Sequence, residues 1–287
     1  QSPMTILLSY LFYFIVGSAS PLQRRWLATT KREAEPRDQI FFAFTTTLIV
    51  AILGLFVPLF SKFELSANYF QIATLGILCG LFGAGFFIFS YVAQKHIEAG
   101  VSTLVSNIYT PITIILATTF LGEKLSLQQI FGTLLLLFAI VLISKKHRTG
   151  KFTFDKYFLM MLASGIMLGV LLTAERALQK TTGFSAGTLI SWWSQAIFLG
   201  IITLITKSQS SYSAKDVLTT GFLKFLQGLS WVTLLFTVGN LSVVSSITTF
   251  KIVIIFIAAA IFLKEREDLP RKILGSLIAV AGLLLMK

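Results

Sequence analysis

Ten apolar runs, most of them as long as a helix that crosses a hydrocarbon layer, govern what this chain can fold into. They are residues 4–20, 40–60, 69–93, 100–121, 130–144, 157–174, 186–205, 222–238, 243–263 and 273–286. A crossing takes about 20 apolar residues, with about 17–25 tolerated. No water is present in lipid to satisfy backbone N–H and C=O groups, so each run is expected to be helical. The fifth and tenth runs are short and are expected to stand close to the membrane normal. The longest connections, residues 21–39 and 145–156, are charged rather than rich in Gly and Ser, and no soluble domain fits between the runs.

Charge supports the same class. Only 13% of the 287 residues are charged, against roughly 25% in a soluble domain. The net charge of +12 would suggest nucleic acid in a soluble protein. Here the basic residues concentrate in short connections between apolar runs, which suits anionic lipid and the setting of orientation. No nucleic-acid partner is expected. One cysteine, Cys79, and two histidines can build neither an internal disulfide nor a metal set. No cofactor is therefore expected. The first run lacks a basic leader and a cleavage site, so it is read as a helix that stays in the membrane.

The two halves of the chain can be laid on each other. Gly17 followed by Gln23-Arg24 matches Gly169 followed by Glu175-Arg176, and Phe87 matches Trp231. Leu121-Gly122-Glu123-Lys124-Leu125 with Gly132 matches Leu263-Lys264-Glu265-Arg266 with Gly275. Residues 1–150 and 151–287 then form two five-helix repeats of one membrane domain. Five is odd, so the second repeat enters the membrane from the opposite side. The expected fold is an all-α integral membrane protein with ten transmembrane helices in two inverted five-helix repeats. Lys and Arg concentrate in the connections after the odd-numbered runs. The positive-inside rule puts that side in the cytoplasm and both termini outside.

Several polar residues fall inside these runs. Lys251, in the middle of the ninth, is the sharpest signal, because a charge at mid-membrane costs at least about 2.5–3.5 kcal/mol on insertion scales. It is expected to face a cavity and hold an anionic or carbonyl group of a substrate, or to carry a proton. Asn107 and Tyr109 precede Pro111 in the fourth run, where a proline frees a backbone carbonyl one turn earlier. Thr248, with Ser245, Ser246 and Thr249, is the ninth-run counterpart. Gln227, Ser230, Trp231, Tyr91 and Tyr13 offer polar tips on or beside aromatic bodies that could line a cavity. Trp192, Trp193 and Gln195 suit an interfacial belt as well as a binding site. Glu175 and Arg176 stand at the end of the sixth run as a gating or interfacial ion pair. Glu123 and Glu265 are read as helix-end caps or gate-side ion pairs.

The Leu-Gly-Glu-Lys-Leu pattern with Gly132, its partner Leu263-Lys264-Glu265 with Gly275, and Pro111 resemble the drug/metabolite transporter superfamily, in particular its EamA-type ten-helix members. The resemblance covers nearly the whole chain and implies a transporter without naming the cargo. It also implies cytoplasmic termini, which opposes the charge bias. The acidic first-helix residue of the small four-helix relatives has no counterpart in residues 4–20. The expected function is a secondary transporter or exporter of a small metabolite, amino acid-like or an anionic or polar organic solute. It would work by alternating access through a central cavity, as a monomer in a bacterial inner membrane, with protons a candidate coupling ion. The alternative is a flippase of lipid or lipid-linked sugar. No enzymatic activity is expected. The charge bias predicts that a reporter active only in the cytoplasm works when fused within 145–156 and is silent when fused within 61–68; the reverse pattern supports the orientation of the family.

Overall fold

The computed structural model describes residues 3–30, 35–66, 68–121, 126–144, 155–238 and 241–285. In the first half are α1 (Pro3–Thr30), α2 (Pro36–Gly54), α3 (Tyr69–Gln94), α4 (Ala99–Ser106), α5 (Tyr109–Leu121) and α6 (Leu127–Ser144), with one 3-10 turn at Val57–Leu59. In the second are α7 (Lys156–Thr182), α8 (Phe184–Thr206), α9 (Ala214–Val238), α10 (Leu241–Thr248), α11 (Lys251–Phe262) and α12 (Leu269–Leu285). No strand occurs among the described residues. Seven helical stretches there are long and apolar enough to cross a membrane, and Leu127–Ile143 and Lys251–Phe262 are shorter apolar helices. Large apolar side chains such as Phe70, Phe120, Phe131, Leu204 and Phe262 stand on the outer surface, while many hydroxyl and amide side chains are buried. That inversion suits lipid rather than water as the outer solvent. The chain is a multi-pass membrane protein.

Two runs expected as single helices are broken. The run 100–121 divides into α4 and α5, and the run 243–263 into α10 and α11. Pro111 explains the first break, because it has no N–H to offer the Asn107 carbonyl. That carbonyl accepts from Thr110 N instead, at 3.0 Å, while Asn107 Nδ2 turns back to the Thr103 carbonyl at 2.6 Å. At the second break no proline is present. The backbone tightens there into three-residue turns, with Phe250 N on Ile247 O, Ile252 N on Thr249 O and Val253 N on Phe250 O at 2.9–3.2 Å.

The first break lies against α7. A Cβ added at Gly165 would fall 2.7 Å from the Ser106 carbonyl oxygen, and one added at Gly169 would fall 3.1 Å from the Tyr109 carbonyl oxygen. Two glycines one helical turn apart thus let the interrupted backbone approach closely. A similar approach joins α6 and α12, where a Cβ on Gly282 would meet the Gly132 carbonyl at 2.6 Å.

Two helices outlast their apolar runs. The first helix continues to Thr30, so Gln23 and Arg24 are helical rather than in a connection. The sixth-run helix, α7, continues to Thr182, which places Glu175 and Arg176 inside it. Gly183, at φ 87°, then turns the chain directly into α8.

Polar ties gather where α1, α3 and α11 end and α4 and α12 begin. Arg25 Nε donates to Glu265 Oε1 at 2.8 Å, and its Nη1 donates to the carbonyls of Gln94 and Lys95 at 2.7 Å each. The other Glu265 oxygen accepts from the Ala99 amide at 2.9 Å and so caps α4. Gln94 Nε2 reaches the Pro21 carbonyl at 2.9 Å, and Lys272 pairs with Glu98. Glu265 therefore serves as both cap and ion-pair partner. Its expected counterpart, Glu123, lies outside the described residues, as does the rest of 122–125.

Gly165→Val overpacks the break and is expected to lower stability by about 1–3 kcal/mol. Thermal unfolding of the detergent-purified variant checks this, and an unchanged midpoint would show that the approach is loose.

Candidate functional site

The two breaks open onto one pocket. Tyr109 is the first residue of α5 and Lys251 the first of α11, and both line a cavity holding about 790 Å³ of empty space with its mouth included. Residues of α1, α3, α7, α8 and α9 complete its wall. Lys251 Nζ donates to the Tyr13 hydroxyl at 2.8 Å, and the Tyr13 ring centroid is 5.8 Å from that of Trp231. Trp231 is 8% exposed, and its indole N–H has no partner among the described residues.

The wall helices present regular stripes. Lys224, Gln227, Gly228 and Trp231 on α9 stand at the spacing that keeps side chains on one face. Leu168, Leu171, Leu172 and Glu175 repeat that spacing on α7. The lining is thus mostly apolar and aromatic, with a few polar groups, the composition of a small-molecule site.

Charge is concentrated in four side chains: Arg24, Lys224, Lys251 and Glu175. Lys224 Nζ donates to Thr47 Oγ1 at 2.5 Å and lies 3.3 Å from the Phe87 ring centroid. Arg24 and Lys224 both approach the Tyr91 ring, at 5.1 and 5.3 Å. Glu175 is buried and accepts a 2.5 Å hydrogen bond from Ser191 Oγ, which in turn accepts from Gln195 Nε2 at 2.9 Å.

Of the residues singled out in the sequence, Lys251, Tyr109, Trp231, Gln227, Tyr13, Glu175, Trp192 and Gln195 line this pocket. Asn107, Thr248, Ser230 and Tyr91 are outside the lining. Asn107 is buried and shapes the first break. Thr248 is buried on α10, where its hydroxyl donates to the Val244 carbonyl, and it lies against Tyr13 and Tyr109. Ser230 Oγ donates to the Gln227 carbonyl at 2.8 Å. Tyr91 is buried as an aromatic platform beneath Arg24 and Lys224. Arg176 follows Glu175 on α7 outside the lining. Glu175 lies inside the longer α7, where it accepts from Ser191.

Two further cations, Lys224 and Arg24, line the pocket. Lys224 is the third residue of the run 222–238, next to a polar connection, and Arg24 lies beyond the end of the run 4–20. The signal that marks Lys251, a charge within an apolar run, marks Lys224 as well. Trp192, assigned equally to an interfacial belt, is buried in the pocket wall.

Residues 3–145 match the EamA-like transporter family. The chain is also similar to the probable terminal-alkyne amino-acid exporter of Streptantibioticus cattleyicolor, 23% identical over 214 residues that cover 73% of this chain and 71% of the relative. A protein of known crystal structure superposes with a TM-score of 0.63 at 15% identity, covering 98% of this chain and 96% of that one. At that identity the likeness speaks for the fold alone.

Glu175→Leu strands the Ser191 and Gln195 groups in a buried site and is expected to cost about 1–3 kcal/mol. Glu175→Gln, which keeps an acceptor for Ser191, is expected to melt closer to the parent. Equal loss in the two variants would show that the hydrogen bond is not what holds this corner.

Proposed function

The chain belongs to the EamA-like transporter family, and on that premise we propose that it is a secondary transporter that exports a small amino acid-like solute, or another anionic or polar organic solute, by alternating access through the pocket. The observation that carries this reading is the meeting of two interrupted helices at one cavity, with Lys251 at the start of α11. Discontinuous helices suit a transport site, because their free ends and unwound backbone offer polar groups at mid-depth. The amino-acid class is supported by the name of the bacterial relative.

We take the fold as ten crossings in two inverted repeats, 1–150 and 151–287. The corresponding positions of the two breaks support that plan: α4 and α5 pair with α10 and α11. In this reading, the ties around Arg25 and Glu265 hold one end of the pocket closed and must part when that end opens. The protein acts as a monomer in a bacterial inner membrane, with protons as the candidate coupling ion. Family membership points to transport rather than catalysis. A lipid or lipid-linked sugar flippase needs a lateral opening between helices, whereas the charged lining favours a polar solute.

Efflux of radiolabelled amino acids from proteoliposomes tests the reading. Lys251→Ala is expected to lower efflux by about tenfold or more, which corresponds to the loss of about 1.4 kcal/mol of transition-state or binding energy, in protein that is inserted and monodisperse. Unchanged efflux removes Lys251 from the site. Lipid flipping without solute efflux favours the flippase.

A further inference from the structure

The pocket carries more positive charge than a neutral amino acid can answer. A zwitterion brings one carboxylate and one ammonium, which Lys251 and Glu175 would match. Arg24 and Lys224 then remain in the lining with no ion-pair partner among the described residues. Arg24 also stands close enough to repel both lysines. Phe87 and Tyr91 offset part of the desolvation of Lys224 by cation–π contact, but they supply no opposite charge. Cations in a low-dielectric site call for an anion.

The unused hydrogen-bonding capacity has the same sign. Trp231 Nε1 and Arg24 Nε are buried without a partner among the described residues, and both are donors. Among the described residues Lys224 and Lys251 make one hydrogen bond each, to Thr47 and Tyr13, although an ammonium can donate three. A ligand that completes this pocket must therefore be rich in acceptors. Lys224 and Trp231 are seven residues apart on one face of α9, a rise of about 10 Å. The donors thus form two groups rather than one: Lys251 with Trp231, and Lys224 with Arg24.

Resting on the export reading above, we infer that the solute is an amino acid whose side chain carries a second acid group. Its α-carboxylate meets Lys251 and Trp231, its side-chain anion meets Lys224 and Arg24, and its ammonium meets Glu175.

The test is efflux from proteoliposomes loaded with radiolabelled glutamate, aspartate, leucine, phenylalanine or succinate. Glutamate or aspartate is expected to leave about tenfold faster than leucine or phenylalanine, and faster than succinate, which lacks the ammonium. Lys224→Gln is expected to reduce the acidic-to-neutral ratio about tenfold, and Lys224→Arg to retain it. Should the variants fail to fold, the parent protein alone decides through its own ratio and through its thermal shift with glutamate against leucine. Neutral amino acids moving as fast as acidic ones overturn the inference and leave the export reading intact. Succinate moving as fast as glutamate overturns it too, since Glu175 would then have no part. Efflux of none of these solutes overturns the inference together with the amino-acid part of the export reading.

Discussion

Non-helical backbone inside a membrane must be covered by protein or by water, because lipid offers its N–H and C=O groups nothing. The two breaks, between α4 and α5 and between α10 and α11, are where this chain meets that demand. At the first, Asn107 and Thr110 recapture the loosened groups, and Gly165 and Gly169 of α7 let the bent backbone sit close. Much of the remaining architecture follows. The break ends carry Tyr109 and Lys251 into a common space, and the helices around that space turn polar and aromatic faces to it while leaving Leu, Ile and Phe outside.

The charged residues divide into two sets with different surroundings. Around Arg25 and Glu265 each charge is answered by an opposite charge, a carbonyl or an amide, so that set ties helix ends together. In the pocket Arg24, Lys224 and Lys251 are answered by hydroxyls and rings, with Glu175 the one acid in the lining among the described residues. A closed network suits structure, and an incomplete one suits a ligand that completes it. Arg24 and Arg25 are adjacent in sequence yet belong to different sets, because consecutive helical residues face different directions.

Hydropathy located the helices well, since each of the ten runs falls on helical segments. It located their ends poorly. Gln23, Arg24, Glu175 and Arg176 read as the edge of the membrane because a window average cannot tell a polar residue facing water from one facing protein. Gln23, for example, exchanges hydrogen bonds with Thr220 at 2.8 and 3.0 Å while still on α1. The first break was announced by Pro111. The second, at Thr249 and Phe250, has no proline or glycine and is written only in the three-dimensional packing. Lys251 is legible as a charge amid apolar residues, whereas Lys224, the third residue of its run, stands beside a polar connection and is not distinguished from it by composition.

The central claim is that the pocket at the two breaks is a solute site reached in turn from each face of the membrane. Gly228 lines it, and an added Cβ would stand 3.3 Å from Trp192, a close contact that the indole relieves by a shift of a few tenths of an ångström. A Gly228→Cys variant in a Cys79→Ala background places one thiol there. The account predicts that a membrane-impermeant thiol reagent labels it from either face of sealed vesicles, and that the transported amino acid slows both reactions. Labelling from one face alone, indifferent to solute, would contradict it.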